Sequence, residues 1–176
     1  NNSWGCPELE GCDPTALQPA VDHLRAAGIF VVASAGNDGP DCNTVKDPIA
    51  LYDASFSVGA VDEVGDMAGF SSRGPVTVDG SGRMKPDIAA PGMYITSSMP
   101  LNSYGTMSGT SMAGPHVVGA VALLWSADPS LIGDIDRTEQ ILIQSARKYT
   151  GSRSDGCFAG DVPNAEPRRV VDAKGR

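Results

Sequence analysis

No apolar run in this 176-residue sequence approaches the roughly 18 residues that a membrane-spanning helix needs, so the chain carries no such span. Positive charge is short: 13 Lys and Arg stand against 21 Asp and Glu, a formal net charge of −8. An acidic surface argues against nucleic acid and anionic membranes as partners, and it favours solubility. Histidine is scarcer still, with two residues, and the four cysteines form no CxxC pair. Neither type is placed to complete a zinc site. No segment repeats and no tract is of low complexity. The opening Asn1-Asn2-Ser3-Trp4-Gly5 reads as the middle of a motif rather than as an initiator Met or a leader segment.

What is present is globular. Hydrophobic residues make up 41% and charged residues 19%, enough apolar surface for one domain with a sizeable core. Glycine (21) and proline (13) are frequent, so turns are many. Cys6 and Cys12 lie in a Pro-, Gly- and Asp-rich loop, where a local disulfide is expected. Cys42 and Cys157 either pair or stay free. An even count fits an extracytoplasmic protein; the alternative is four small buried hydrophobes.

Local signals give an α/β chain. Asp13-Pro14 marks a helix start, with Leu17, Val21 and Leu24 at helical spacing and Gly28 as the stop. Ile29 to Ala33 is an apolar, β-branched run that reads as a buried strand. Ser55 to Val61 is a second strand. Met67 to Ser71 and Ile88 to Ala90 are weaker ones. Residues 72–86 read as loop. A small-residue helix follows Ser111 through Trp125, Asp128-Pro129 ends it, and a further helix covers about Asp136 to Arg147. The tail after Thr150 has little pattern. Helix, glycine, then continuous apolar strand signals a parallel sheet covered on both faces.

Two segments carry chemistry. In Ser108-Gly109-Thr110-Ser111-Met112-Ala113-Gly114-Pro115-His116, a serine stands at the start of a helix. Unpaired N–H groups and the positive dipole end lie there. Such a serine attacks a carbonyl and offers its own N–H to the oxyanion. The plainer alternative is a serine N-cap on a buried helix. In Val31-Val32-Ala33-Ser34-Ala35-Gly36-Asn37-Asp38-Gly39, an asparagine follows a strand at the sheet's carboxyl edge, where sites form. Its alternative is an Asn-Asp-Gly turn.

Together these segments resemble the subtilase family of serine proteases. Gly-Thr-Ser-Met-Ala-Gly-Pro-His is similar to its nucleophile motif, and Val-Val-Ala-Ser-Ala-Gly-Asn-Asp-Gly to its oxyanion-asparagine motif. Asn2-Ser3-Trp4-Gly5 resembles its substrate-cleft strand. Ser55 to Asp62, Phe70 to Pro75 and Lys85 to Gly92 match further segments in order. The likeness covers about residues 1–147, with Val171-Asp172-Ala173 a weaker terminal match. It implies a three-layer α/β fold with a mainly parallel sheet and helices on both faces. Residues 1–176 would be a partial catalytic domain whose N-terminal part is missing.

The resemblance also implies roles. Ser111 is the acyl-forming nucleophile, and the Asn37 side chain with the Ser111 N–H forms the oxyanion hole. Thr110 supports that pocket from behind. Ser3, Trp4 and Gly5 pair with substrate backbone as an added strand. Ala35 and Gly36 wall the pocket for the residue before the cut, and Asp38 biases it toward basic side chains. The partner is a polypeptide, and the location is extracellular or in the cell envelope. The chemistry needs no cofactor. Structural calcium is allowed for in the full-length protein; in some members carbonyls near Ala50 and Tyr52 hold a weak cation, which is not assigned to this chain.

The triad of this family runs Asp, His, Ser. His116 lies five residues after Ser111, roughly 7.5 Å along the helix and roughly 140° around it, out of reach. His23 sits in the preceding helix without a His-Gly-Thr context. The expectation is a chain inactive alone, lacking the upstream half that carries the Asp and His. Self-association through the face that half would cover is a further expectation. An α/β-hydrolase would need a histidine downstream of its acid and serine, and a chymotrypsin-like protease would read as all-β. The remaining alternative is a non-catalytic binding or structural module of the same fold.

Overall fold

A computed structural model of the chain describes residues 1–6, 10–147 and 157. Helix α1 spans Gln18–Ala26. Three strands follow: β1 Val32–Ser34, β2 Phe56–Val61 and β3 Ile88–Pro91. A hairpin of β4 Ile95–Met99 and β5 Ser103–Met107 leads into helix α2, Thr110–Ala127, and helix α3 is Ile135–Ser145. Strands β1, β2 and β3 lie side by side and parallel, with Ala33 opposite Ser57 and Gly59 opposite Ala89. Asn2 adds one parallel bridge to Ala33 at the outer side of β1.

The central strand explains the layering. All six residues of β2 are buried, as expected of a strand covered on both faces. Phe56, Val58 and Ala60 meet Ala113, Val117 and Val121 of α2, with Leu142 and Ala146 behind them. On the opposite face, Val31, Ala33 and Ala35 meet Val21 of α1 and the loop residues Val45, Ile49, Leu51, Tyr52 and Val76. This is the expected three-layer α/β arrangement. Each large apolar side chain so buried contributes about 1.5–3 kcal/mol.

Beneath β2 lies a buried ion pair. Lys85 Nζ stands 2.6 Å from Asp87 Oδ2 and 2.6 Å from the Ser55 carbonyl. The same Asp87 oxygen accepts from Ser57 N–H at 2.7 Å and from the Ser57 hydroxyl at 2.9 Å. At the other end of the sheet, Arg25 ties α1 to α3 through Glu139 at 2.6 Å and Asp136 at 2.5 Å. These carboxylates push the guanidinium pKa up despite its partial burial.

Some expectations shift. Helix α1 begins at Gln18 rather than at Asp13-Pro14. The Asp13 carboxylate instead accepts from the Thr15 N–H at 2.7 Å and its hydroxyl at 2.6 Å, closing a local turn. Gly28 does follow the helix, with φ +75°. Strand β1 starts at Val32, because Ile29 is exposed and Phe30 turns to stack edge-on with Phe56 and Trp125. Met67 makes only a single antiparallel bridge, to Val61. Helix α2 and helix α3 lie within two residues of expectation. The β4–β5 hairpin has no counterpart in the sequence reading, since most of its residues are exposed and no face alternates apolar with polar.

Both cysteine pairs are bridged: Cys6–Cys12 locally, and Cys42–Cys157 across 115 residues. Closing a loop that long stabilises by about 5 kcal/mol on the chain-entropy account. The tail pattern after Thr150, and Val171 to Ala173, lie outside the described residues.

Candidate active site

The site sits at the carboxyl ends of β1 and β3, where the chain turns away from the parallel sheet. Gly92, just after β3, lets the start of α2 come close. A Cβ there would lie 2.6 Å from Ala60 Cβ and 2.8 Å from the Gly109 carbonyl. The Gly109 N–H duly donates to the Gly92 carbonyl at 2.8 Å.

Gly109 is the N-cap residue of α2 and has no side chain to cap it. Asn37, from the loop after β1, does so in its place. Its Oδ1 accepts from the Thr110 N–H at 3.0 Å and lies 3.0 Å from the Thr110 hydroxyl. That hydroxyl also stands 3.3 Å from the Gly36 carbonyl. With Oδ1 held, Nδ2 is turned the other way. A methyl carbon imagined on Gly109 would lie 3.7 Å from Asn37 Nδ2 and 3.7 Å from the Ser111 nitrogen. Both nitrogens therefore lie beside Gly109. Ser111 is half-buried in the first turn of an 18-residue helix, whose positive end favours a developing oxyanion.

The structure brings Ser3 to this group as well. Its hydroxyl lies 3.3 Å from the Ser111 carbonyl. Trp4 is 48% exposed beside it. Gly5 faces Asp47, whose Oδ2 would lie 2.5 Å from a Cβ at that position. The Ala35 methyl is buried in the α1-side core, so at that point only backbone is available to wall a cleft. Gly36 is pinned by the Ser72 N–H, which donates to its carbonyl at 3.0 Å.

Two charged residues at this edge escaped the sequence reading. Lys46 Nζ lies 3.3 Å from Asp38 Oδ2, with both side chains about half exposed. Asp47 has its carboxyl pKa raised, first by burial and then by the Asp38 charge. A lysine and an aspartate about eight residues beyond an Asn-Asp-Gly turn give no signal until the loop folds back. Neither histidine is hydrogen-bonded to Ser111. His23 is on α1, across the sheet from α2, and His116 Nδ1 is 2.9 Å from the Met112 carbonyl.

At the turn near Ala50 and Tyr52, three backbone carbonyls already accept hydrogen bonds from the chain. The Ile49 carbonyl accepts from Ser55 Oγ at 2.5 Å, and the Tyr52 carbonyl lies 3.1 Å from the same hydroxyl. The Leu51 carbonyl takes a guanidinium N–H of Arg83, which also pairs with Asp79 at 3.1 Å. The positive charge at this turn comes from the chain itself. Among the described residues, no cluster of three or more His, Cys, Asp or Glu is set to hold a metal ion.

A model of the subtilase family matches residues 1–160. The chain belongs to that family. It is 45% identical over 119 residues to subtilisin DY of Bacillus licheniformis, covering 66% of this chain and 40% of that protein. It is 42% identical over 180 residues to bacillopeptidase F of Bacillus subtilis, covering 98% of this chain and 12% of that one. Among solved structures, sphericase superposes with a TM-score of 0.68 at 29% identity, covering 82% of this chain and 47% of that one. The S41 psychrophilic protease gives a TM-score of 0.68 at 28% identity, covering 83% and 48%. The chain thus spans less than half the length of these subtilase relatives. The subtilase motifs fall where the geometry is built: the Gly-Thr-Ser run opens α2, and the Gly-Asn run ends the β1 turn.

Proposed function

We propose that the protein carrying this chain is a serine endopeptidase that cleaves polypeptides through an acyl-enzyme on Ser111. The observation that carries the reading is the Asn37 carboxamide, held through Oδ1 by the Thr110 N–H, with its Nδ2 and the Ser111 nitrogen both beside Gly109. In this mechanism the Ser111 hydroxyl adds to the scissile carbonyl and loses its proton to a base. The carbonyl oxygen becomes an oxyanion stabilised by these donors; collapse breaks the C–N bond as the base passes its proton to the leaving amine, and water then hydrolyses the acyl-enzyme to free Ser111. Substrate backbone pairs along Ser3 to Gly5 as an added strand.

The base and its orienting acid come from a part of the catalytic domain outside this chain. Two facts support this: neither histidine is hydrogen-bonded to Ser111, His116 instead engaging the Met112 carbonyl, and the chain spans less than half of its relatives. The same missing part is the occupant of the free face of α2. Pro115, Gly119, Ala122 and Leu123 are exposed there on a helix that is apolar on nearly every side. A fluorophosphonate probe is expected to label the full-length protein at Ser111 and the 176-residue chain poorly. Strong labelling of the isolated chain would show that its own residues activate the serine. No labelling of the full-length protein would favour the non-catalytic binding module.

Two disulfides support a place outside the cytoplasm. No helix among the described residues is long and apolar enough to cross a membrane.

The Asp38 charge favours basic residues before the cut, but Lys46 offsets it. Lys46→Ser is expected to raise the ratio of kcat/KM for Arg over Phe at that position, by about three- to tenfold for a partly exposed charge. Asp38→Ser is expected to lower it. A peptide panel in which neither variant moves the ratio would remove both residues from specificity.

A further inference from the structure

We propose that Ser3 is a positioning residue for Ser111, made necessary by Pro115; the inference rests on the acyl-enzyme reading. In a regular helix the carbonyl of residue 111 accepts from the N–H of residue 115. Residue 115 is proline, which has no N–H and whose ring crowds the carbonyl four residues back. The nucleophile's own carbonyl is therefore denied its helical donor. The Ser3 hydroxyl lies 3.3 Å from that carbonyl and donates to it.

The direction of this bond is set by its surroundings. Ser3 Oγ accepts from Asn1 Nδ2 at 2.9 Å and from Ser34 Oγ at 3.2 Å. With both acceptor positions taken, its single proton is left for Ser111. The anchor is firm, because both backbone groups of Asn2 are hydrogen-bonded to β1. Its N–H donates to Val32 and its carbonyl accepts from Ser34, each at 2.9 Å. Gly114 allows the approach, since a Cβ there would meet Asn1 Oδ1 at 2.7 Å.

The reactive turn is thus pinned at two points. Asn37 holds the Thr110 N–H, and Ser3 holds the Ser111 carbonyl. The second pin belongs to the strand that pairs with substrate, so the cleft and the nucleophile share one hydrogen bond. In a helix without Pro115 the carbonyl would be satisfied internally and the two would be uncoupled.

The test is a double-mutant cycle in the full-length protease, reading kcat, KM and the fluorophosphonate labelling rate. Ser3→Ala is expected to lower kcat and labelling by about three- to tenfold, the range for one neutral hydrogen bond, with KM held. Ser3→Thr, which keeps the hydroxyl, is expected to restore both. In a Pro115→Ala background, where residue 115 regains its N–H, Ser3→Ala is expected to change little. Thermal melts identify any variant that has lost its fold, in which case Ser3→Cys, with its weak donor, carries the comparison. An unchanged kcat in Ser3→Ala would overturn the proposal. So would a raised KM with kcat intact, or the same loss in both backgrounds. If the unmodified full-length protein neither labels nor hydrolyses peptide, the serine-protease reading fails first and this inference with it.

Discussion

Asn37→Asp is expected to lower kcat of the full-length protease by at least about 10²–10³-fold, the loss seen when the corresponding donor is removed from subtilisin, a relative of this chain. The substitution keeps an oxygen where Oδ1 now accepts from the Thr110 N–H, so the α2 cap survives. It replaces Nδ2, one of the two donors around the Gly109 point, by a second, negative oxygen. Asn37→Ala removes both functions. It is expected to lose a similar factor in kcat and, in addition, about 1 kcal/mol of stability from the missing cap. The pair separates chemistry from scaffold, because activity falls in both and stability falls chiefly in alanine. Steady-state kinetics with a urea titration of each variant checks it. Retention of kcat within about threefold in Asn37→Asp would remove the carboxamide from the mechanism.

The largest expected effect on stability is elsewhere. Asp87→Ala strands the Lys85 ammonium, which is 2% exposed and would keep only the Ser55 carbonyl. Breaking a buried pair from one side costs about 3–5 kcal/mol, because an uncompensated charge stays in the core. The Ser57 N–H and hydroxyl lose their acceptor at the same time. With a urea slope of about 1–3 kcal/mol/M, the unfolding midpoint should fall by at least about 1 M. Removing both charges, as in Lys85→Met with Asp87→Leu, is expected to recover most of the loss. A midpoint for Asp87→Ala within experimental error of the unsubstituted protein would mean that water or rearrangement solvates Lys85.

The parts of the fold that were legible share one property. Strand β2 and helix α2 are both carried by local pattern: a continuous buried run in one, small residues behind a serine in the other. The elements that shifted depend on partners far along the chain. Phe30 leaves the strand because Phe56 and Trp125 offer it an edge-on contact. The helix after Asp13 begins only at Gln18, where the N–H of its N-cap residue Leu17 donates to the Tyr52 hydroxyl, 35 residues away. The β4–β5 hairpin is held by backbone pairing between mostly exposed residues, which leaves no hydrophobic period to read.

The site divides in the same way. Gly109-Thr110-Ser111 and Gly36-Asn37 are contiguous motifs, so the sequence alone determined the family and pointed to Ser111 and Asn37 as the proposed nucleophile and oxyanion partner. With two histidines, neither in a His-Gly-Thr context, the expectation of a base from outside this chain was also legible. Pro115, four residues after Ser111, was equally visible as a missing donor, but not the group that replaces it. Only the tertiary structure decided that. Asn37 caps a helix that begins 73 residues later, Ser3 reaches a carbonyl 108 residues away, and Lys46 folds back onto Asp38. Hydrogen bonds and ion pairs act over about 3 Å and are indifferent to sequence separation, so their partners are set by where the strands end, not by what lies beside them in the chain.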